Sequence, residues 1–155
     1  MPNRLVSMSC QASSIRAGRS ELRIDLQRLA DDQDLFVGVG KAQVSIYASA
    51  YLAKSLVDAP LVELRDYLAS RRIARRTAVH EPEDHFAALC ELMRYLIAEQ
   101  QAPLDEQRAV FEKYLKPLAG SFCGAVSNAG NAAFYRPAAQ FTAAFFDLED
   151  AMFRM

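Results

Sequence analysis

The chain carries a net charge of −1 over 155 residues, with 18 Lys and Arg against 19 Asp and Glu, and so gives no electrostatic case for nucleic acid or a membrane surface as its main partner. At this length one domain is the expectation, able to bury roughly 68–70% of the surface its unfolded chain exposes. Trp is absent, Gly and Pro are sparse, and apolar positions recur at three and four instead of alternating. That pattern predicts an all-α protein, a compact bundle of about six or seven helices.

Residues 1–20, MPNRLVSMSCQASSIRAGRS, have no long apolar core, which argues against a signal peptide and a membrane span. They are expected to be a disordered or frayed lead-in to a single helical domain over 21–155. A short helix is predicted over ELRIDLQRLADD (21–32), with Leu22, Leu26 and Leu29 on one face. DQDLFVGVG (32–40) breaks the pattern with two glycines. KAQVSIYASAYLAKSLV (41–57) reads as a helix with Val44, Tyr47, Tyr51 and Leu52 on a shared side, and its small Ala48, Ser49 and Ala50 suit a close crossing. Pro60 fits the first turn of PLVELRDYLASRR (60–72), whose inner stripe is Leu61, Leu64 and Leu68.

A basic connector, RRIARRTAVH (71–80), leads to HEPEDHFAALCELMRYLI (80–97), where Phe86, Leu89, Cys90, Met93, Leu96 and Ile97 form the best amphipathic pattern in the chain. After a turn at Gln101–Pro103, the next helix carries Val110, Phe111, Tyr114, Leu115 and Leu118. Pro117 is expected to end or kink it, with a second segment over 118–126. SNAGN (127–131) reads as a loop. The final helix, within 131–153, is predicted to turn Phe134, Phe141, Phe145 and Leu148 inward, with Pro137 at a kink or at its true start.

Both histidines of the chain lie five positions apart in HEPEDH. On a helix that separates them by about 140°, whereas a zinc-binding helix needs two on one face, and no third histidine or cysteine pair completes a set. No metal site is expected. Asp84 and His85 are adjacent and point about 100° apart, so they cannot pair with each other for acid/base work. Ser49 and Cys90 are nucleophiles by type but sit in no strained turn or oxyanion setting, and no enzyme activity is expected. Pro82, Glu83 and Asp84 together suit a helix N-terminus starting at Pro82, which leaves His85 beside the Leu89–Leu92 stripe. Cys10, Cys90 and Cys123 are odd in number and widely spaced; Cys90 and Cys123 read as small buried hydrophobes, and a reducing cytoplasm is the expected compartment.

Arg65, Arg71, Arg72, Arg75 and Arg76 are best read as a solvated connector. A weak contact with a nucleotide phosphate is the functional alternative; no cofactor is required.

Pro82-Glu83-Asp84-His85 before an amphipathic helix resembles the P-x-D-H signature of the TorD/DmsD family of redox-enzyme maturation chaperones. YASAY (47–51) is similar to that family's Y-x-S-x-Y segment, and NAAFYRPAAQFTAAFFDLE (131–149) to its closing helix. The basic run after residue 70 sits where the family carries a linker between two helical parts. The resemblance covers roughly residues 20–150. It implies a TorD-like fold and a cytoplasmic chaperone without chemistry of its own, which binds the twin-arginine leader or the apo form of a molybdoenzyme and holds it until the cofactor is inserted. A helical interaction or adaptor domain is the alternative. The resemblance further implies a groove with Tyr47, Tyr51 and apolar neighbours in its walls, Asp84 with Glu81 and Glu83 facing the arginines of the leader, His85 orienting the segment or adding a polar contact, and Ser49 and Pro82 among the binding residues. Before residue 21 only a polar lead-in stands where the family carries further N-terminal helices, which the resemblance reads as either a truncated start or a short variant. The apolar surface this would leave uncovered favours self-association, with a homodimer formed by helix exchange as one remedy.

Overall fold

The computed structural model describes residues 33–37, 42–53, 59–75 and 80–155. The predicted helix at 21–32 and the lead-in at 1–20 lie outside these. The described residues hold six α-helices and no strand, an all-α fold. They fall into two compact units, one from Tyr47 to Leu118 and one that joins residues 33–37 and 42–46 to Ala119–Met155.

In the first unit, helix α1 spans Ser49–Leu52, α2 Pro60–Ser70, α3 Phe86–Ala98 and α4 Leu104–Val110. Pro60 opens α2 at its first position, where its missing N–H costs no helical bond. At the other end Arg72 takes a left-handed conformation, φ 55°, and the chain closes with Arg72 N–H on the Ala69 carbonyl and Ile73 N–H on the Leu68 carbonyl. Leu64 is fully buried, flanked by half-buried Leu61 and Leu68, as their spacing predicts. Leu89, Leu92 and Leu96 form the buried stripe of α3. Cys90 and Ile97, expected inside, are exposed, because the stripe that faces α4 and the turn after it runs one position away from them.

The sequence following α4 does not stop at Pro117. Residues Phe111–Leu115 form a π-helical turn in which Lys116 N–H reaches the Phe111 carbonyl, and α5 then runs from Lys116 to Asn128. Pro117 thus occupies the first turn of a new register, where it displaces no bond. Val110, Phe111, Tyr114 and Leu115 are all buried at this change. Glu106 ties α4 to α2 by accepting the Tyr67 hydroxyl at 2.8 Å and pairing with Arg71.

Two expectations fail in the segment 32–57. Residues 33–37 form one π-helical turn where a break was expected, and among the described residues of 41–57 only those of α1 are helical. The cause is sideways hydrogen bonding. Val44 N–H donates to the Leu35 carbonyl and Ala48 N–H to the Asp84 carbonyl, both at 2.9 Å, so neither group serves a helical ladder. Val44 and Tyr47 therefore do not share a helix face.

The second unit is built on Leu35, Val44, Cys123, Val126, Ala132 and Ala139, with Phe36 set between the Phe122 ring at 6.0 Å and the Tyr135 ring at 5.1 Å. Arg136 donates to the Ser127 and Ala129 carbonyls, meeting acceptors that the end of α5 leaves without helical partners. Its last helix, α6 (Tyr135–Phe153), turns Ala139, Ala143 and Tyr135 toward this core, and Phe153 is buried near its end. Phe141, Phe145 and Leu148, expected inward, are exposed. Alanines at 139 and 143 let the α6 backbone come close to the core, which turns the larger side chains outward.

Candidate functional site

Two segments 35 positions apart in sequence are fastened to each other by Asp84. Its carbonyl accepts the Ala48 N–H, and its carboxylate Oδ2 accepts the Ser49 N–H, each at 2.9 Å. The cap position of α1 is Ala48, whose methyl group offers no acceptor. Asp84 supplies from a distance the oxygen that a capping Ser or Asp supplies locally. It is 2% exposed, the one buried charged side chain among the described residues. Beside it, Tyr47 and His85 form an isolated antiparallel bridge, with their rings edge to face at 5.7 Å.

At the surface of this junction the Tyr47 hydroxyl donates to Glu81 Oε2 at 2.5 Å. That hydrogen bond, then partial burial and the charges of Glu81 and Asp84, push the phenol up to about 12. Tyr47 is therefore a neutral donor throughout the physiological range. His85 is the N-cap of α3. Its Nδ1 accepts the Ala87 N–H at 3.1 Å, so Nδ1 carries no proton in this arrangement. This corrects the expectation that the helix starts at Pro82 with Glu83 and Asp84 in its first turn. Instead, residues 82–85 form a turn in which His85 N–H reaches the Pro82 carbonyl at 3.3 Å, and α3 begins at Phe86.

The turn is also gripped from the arginine run. Arg65 on α2 holds the Glu83 carboxylate through Nε at 2.9 Å, Arg75 stands 3.6 Å from its other oxygen, and Arg75 also donates to the Glu81 carbonyl at 3.0 Å. Burial alone would raise the Glu83 carboxyl, but a backbone hydrogen bond and the two guanidiniums outweigh it and hold it below the usual carboxylate range.

Tyr47, Ser49, Glu81, Asp84 and His85 thus occur together, with Pro82 inside the turn. Tyr51 is half-buried on α1, its N–H on the Ala48 carbonyl. The Asp84 carboxylate, expected to face a guanidinium from outside, is buried on the Ser49 N–H, while Glu81 is exposed. Sequence reasoning read the arginines as solvated and missed the grip of Arg65 and Arg75 on Glu83. The available signal was an arginine run directly before an acidic turn. Among the described residues no three His, Cys, Asp or Glu side chains are grouped to hold a metal ion, and no helix is long and apolar enough to cross a membrane.

The chain is 36% identical over 102 residues, 63% of its length, to the chaperone protein TorD of Aliivibrio fischeri, covering 45% of that protein. It is 33% identical over 85 residues, 54% of its length, to the chaperone protein TorD of Photobacterium profundum, covering 39% of it. The chain therefore spans less than half the length of these curated relatives. No solved structure matches it. The family described as nitrate reductase delta subunit matches residues 12–124, which include both joined segments, and the chain belongs to that family, the TorD/DmsD group of redox-enzyme maturation chaperones.

Proposed function

We propose that this chain acts in the cytoplasm as a chaperone of molybdoenzyme maturation, binding the twin-arginine leader or the apo form of its client until cofactor insertion and catalysing no reaction itself. The observation that carries this reading is the junction of residues 47–51 with 81–85, which presents an exposed carboxylate, Glu81, beside a fixed phenol, Tyr47. A leader guanidinium pairs with Glu81, whose second oxygen and the Tyr47 hydroxyl set the geometry. Asp84, Ser49 and His85 hold these groups in register, Pro82 shapes the turn, and Tyr51 adds apolar wall. The printed names of the relatives, both chaperones, support the assignment. A nucleotide or molybdenum-cofactor phosphate at the arginine run would have to displace Glu83 from Arg65 and Arg75, or Glu106 from Arg71.

The test is calorimetric titration of the full chain with synthetic twin-arginine leaders and double-lysine controls. Micromolar binding, about −8 kcal/mol, weakened both by the lysine exchange and by Glu81→Gln, is expected. A folded protein that binds neither leader, or binds both equally and ignores Glu81→Gln, refutes the reading.

A further inference from the structure

The turn at residues 81–85 carries three carboxylates, and each is held differently. Asp84 is buried on the Ser49 N–H, Glu81 is exposed beside the Tyr47 hydroxyl, and Glu83 stands between two guanidiniums of the chain itself. Those two guanidiniums are not equivalent. Arg65 is on α2, and its Nε and Nη2 both lie 2.9 Å from Glu83 Oε2. Arg75 comes from the non-helical connector, and its Nε is 3.6 Å from Oε1, an ion pair too long for a hydrogen bond. Its Nη1 donates instead to the Glu81 carbonyl at 3.0 Å. The Glu83 carboxylate also takes a backbone hydrogen bond. One guanidinium of the chain, that of Arg75, therefore lies against both Glu81 and Glu83.

Glu81 and Glu83 are two positions apart, so their Cα atoms are separated by at most about 7 Å. Successive arginines of a leader have Cα atoms about 3.8 Å apart, and their long side chains span the difference. With one leader guanidinium on Glu81 and Asp84 buried, the carboxylate left for the second is Glu83. Arg75 occupies that place. Of the two resident cations it is the one able to leave: it makes no hydrogen bond to the carboxylate, belongs to no helix, and has a side chain 37% exposed. Arg65, held by α2 and by two short contacts, stays. A guanidinium free to align on Oε1 gains the charge-assisted hydrogen bond that Arg75 does not make. A lysine has no planar fork with which to do the same.

We infer that Arg75 is an internal stand-in for the second arginine of the leader, an autoinhibitory contact that a twin-arginine leader displaces from Glu83 while Arg65 keeps the other oxygen. The inference rests on the leader-binding reading above and adds a source of selectivity to it. A leader with a single arginine pairs with Glu81 and leaves Arg75 in place. Only a second guanidinium offsets the loss of the Arg75 contacts.

The experiment is calorimetric titration of the full chain and its Arg75→Gln, Arg75→Lys and Glu83→Gln variants, with melting curves on each. The titrants are a twin-arginine leader, leaders with either arginine changed to lysine, and the double-lysine leader. Arg75→Gln is expected to tighten the twin-arginine leader about two- to fivefold, the size of an exposed ion pair, and to tighten the others less. Arg75→Lys, which keeps the charge, shifts affinity in the same direction, and Glu83→Gln brings the twin-arginine leader down to the single-arginine level. A twin-arginine affinity unchanged by Arg75→Gln overturns the inference. A weakened one also overturns it and makes Arg75 a positioning residue for the turn. So does a gain shared equally by all four leaders, which is long-range charge alone. In each of these cases a wild type that still prefers the twin-arginine leader keeps leader binding intact; a wild type and an Arg75→Gln variant that both bind no leader refute the two readings together.

Discussion

Replacing Asp84 by Ala removes the acceptor of the Ser49 N–H but leaves the backbone bond from Ala48 N–H to the Asp84 carbonyl in place. The orphaned N–H is partly buried, and an unsatisfied buried donor costs about 1–3 kcal/mol. A lost helix cap measured on its own costs about 1 kcal/mol, and describes the same bond rather than an added one. We expect Asp84→Ala to destabilise the protein by about 2 kcal/mol, lowering Tm by roughly 4–8 °C at the 2–4 °C per kcal/mol typical of a chain this long. Asp84→Asn keeps a carbonyl oxygen at the same point and gives up only the charge-assisted part, about 0.5–1 kcal/mol. Leader binding should follow the same order, with Asn near wild type and Ala strongly weakened, since the role of Asp84 is to position Tyr47 and its neighbours. Thermal melts and calorimetric titrations of the three proteins decide it. If Asn and Ala are equally damaging to binding while Asn spares stability, the charge of Asp84 meets the ligand directly and the positioning argument is refuted.

Two further outcomes rest on the same geometry. The Glu83 carboxyl is held below its ordinary value of 4.5 in the folded protein, so its ionised form favours folding. That stability is present above the unfolded value and is lost as the pH falls through the folded one. Glu83→Gln should therefore cost about 0.5–1 kcal/mol at pH 7 and progressively less as the pH falls below the unfolded value, read from paired melts; a penalty that does not shrink in acid would show that the ion pairs with Arg65 and Arg75 are not its source. Arg72 sits at φ 55° at the end of α2, a conformation that glycine adopts without strain. Arg72→Gly should stabilise by about 0.5–1 kcal/mol, and a fall in Tm would mean that the Arg72 side chain holds the turn by contacts of its own.

Helix content, the inner stripe of α2 and the apolar row of α3 were legible because each depends on local spacing, and a helix buries whichever face repeats at three and four. The P-x-D-H and Y-x-S-x-Y segments were legible as words for the same reason. Their grammar was not. Locally the sequence predicts a charge offered outward at Asp84 and a neighbour of the α3 stripe at His85, because nothing local says that Ala48 lacks a cap or that a carboxylate 35 positions from Ser49 will provide one. The long helix expected over 41–57 failed on the same ground, since Val44 and Ala48 spend their N–H groups on residues from other segments.

In α6 the pattern offered two apolar faces and the larger side chains were assigned inward, yet alanines fill the core. Periodicity measures which residues share a face, and it cannot say which of two faces a neighbour approaches closely enough to fill. The sequence alone determined the fold class, the family and the two segments that carry its motifs, because these are properties of spacing and residue type. Only the tertiary structure decided that Asp84 is the latch, that Glu81 and Tyr47 form the exposed pair, and that the aromatic row of α6 faces outward, because hydrogen bonds and packing between distant segments are settled by three-dimensional proximity.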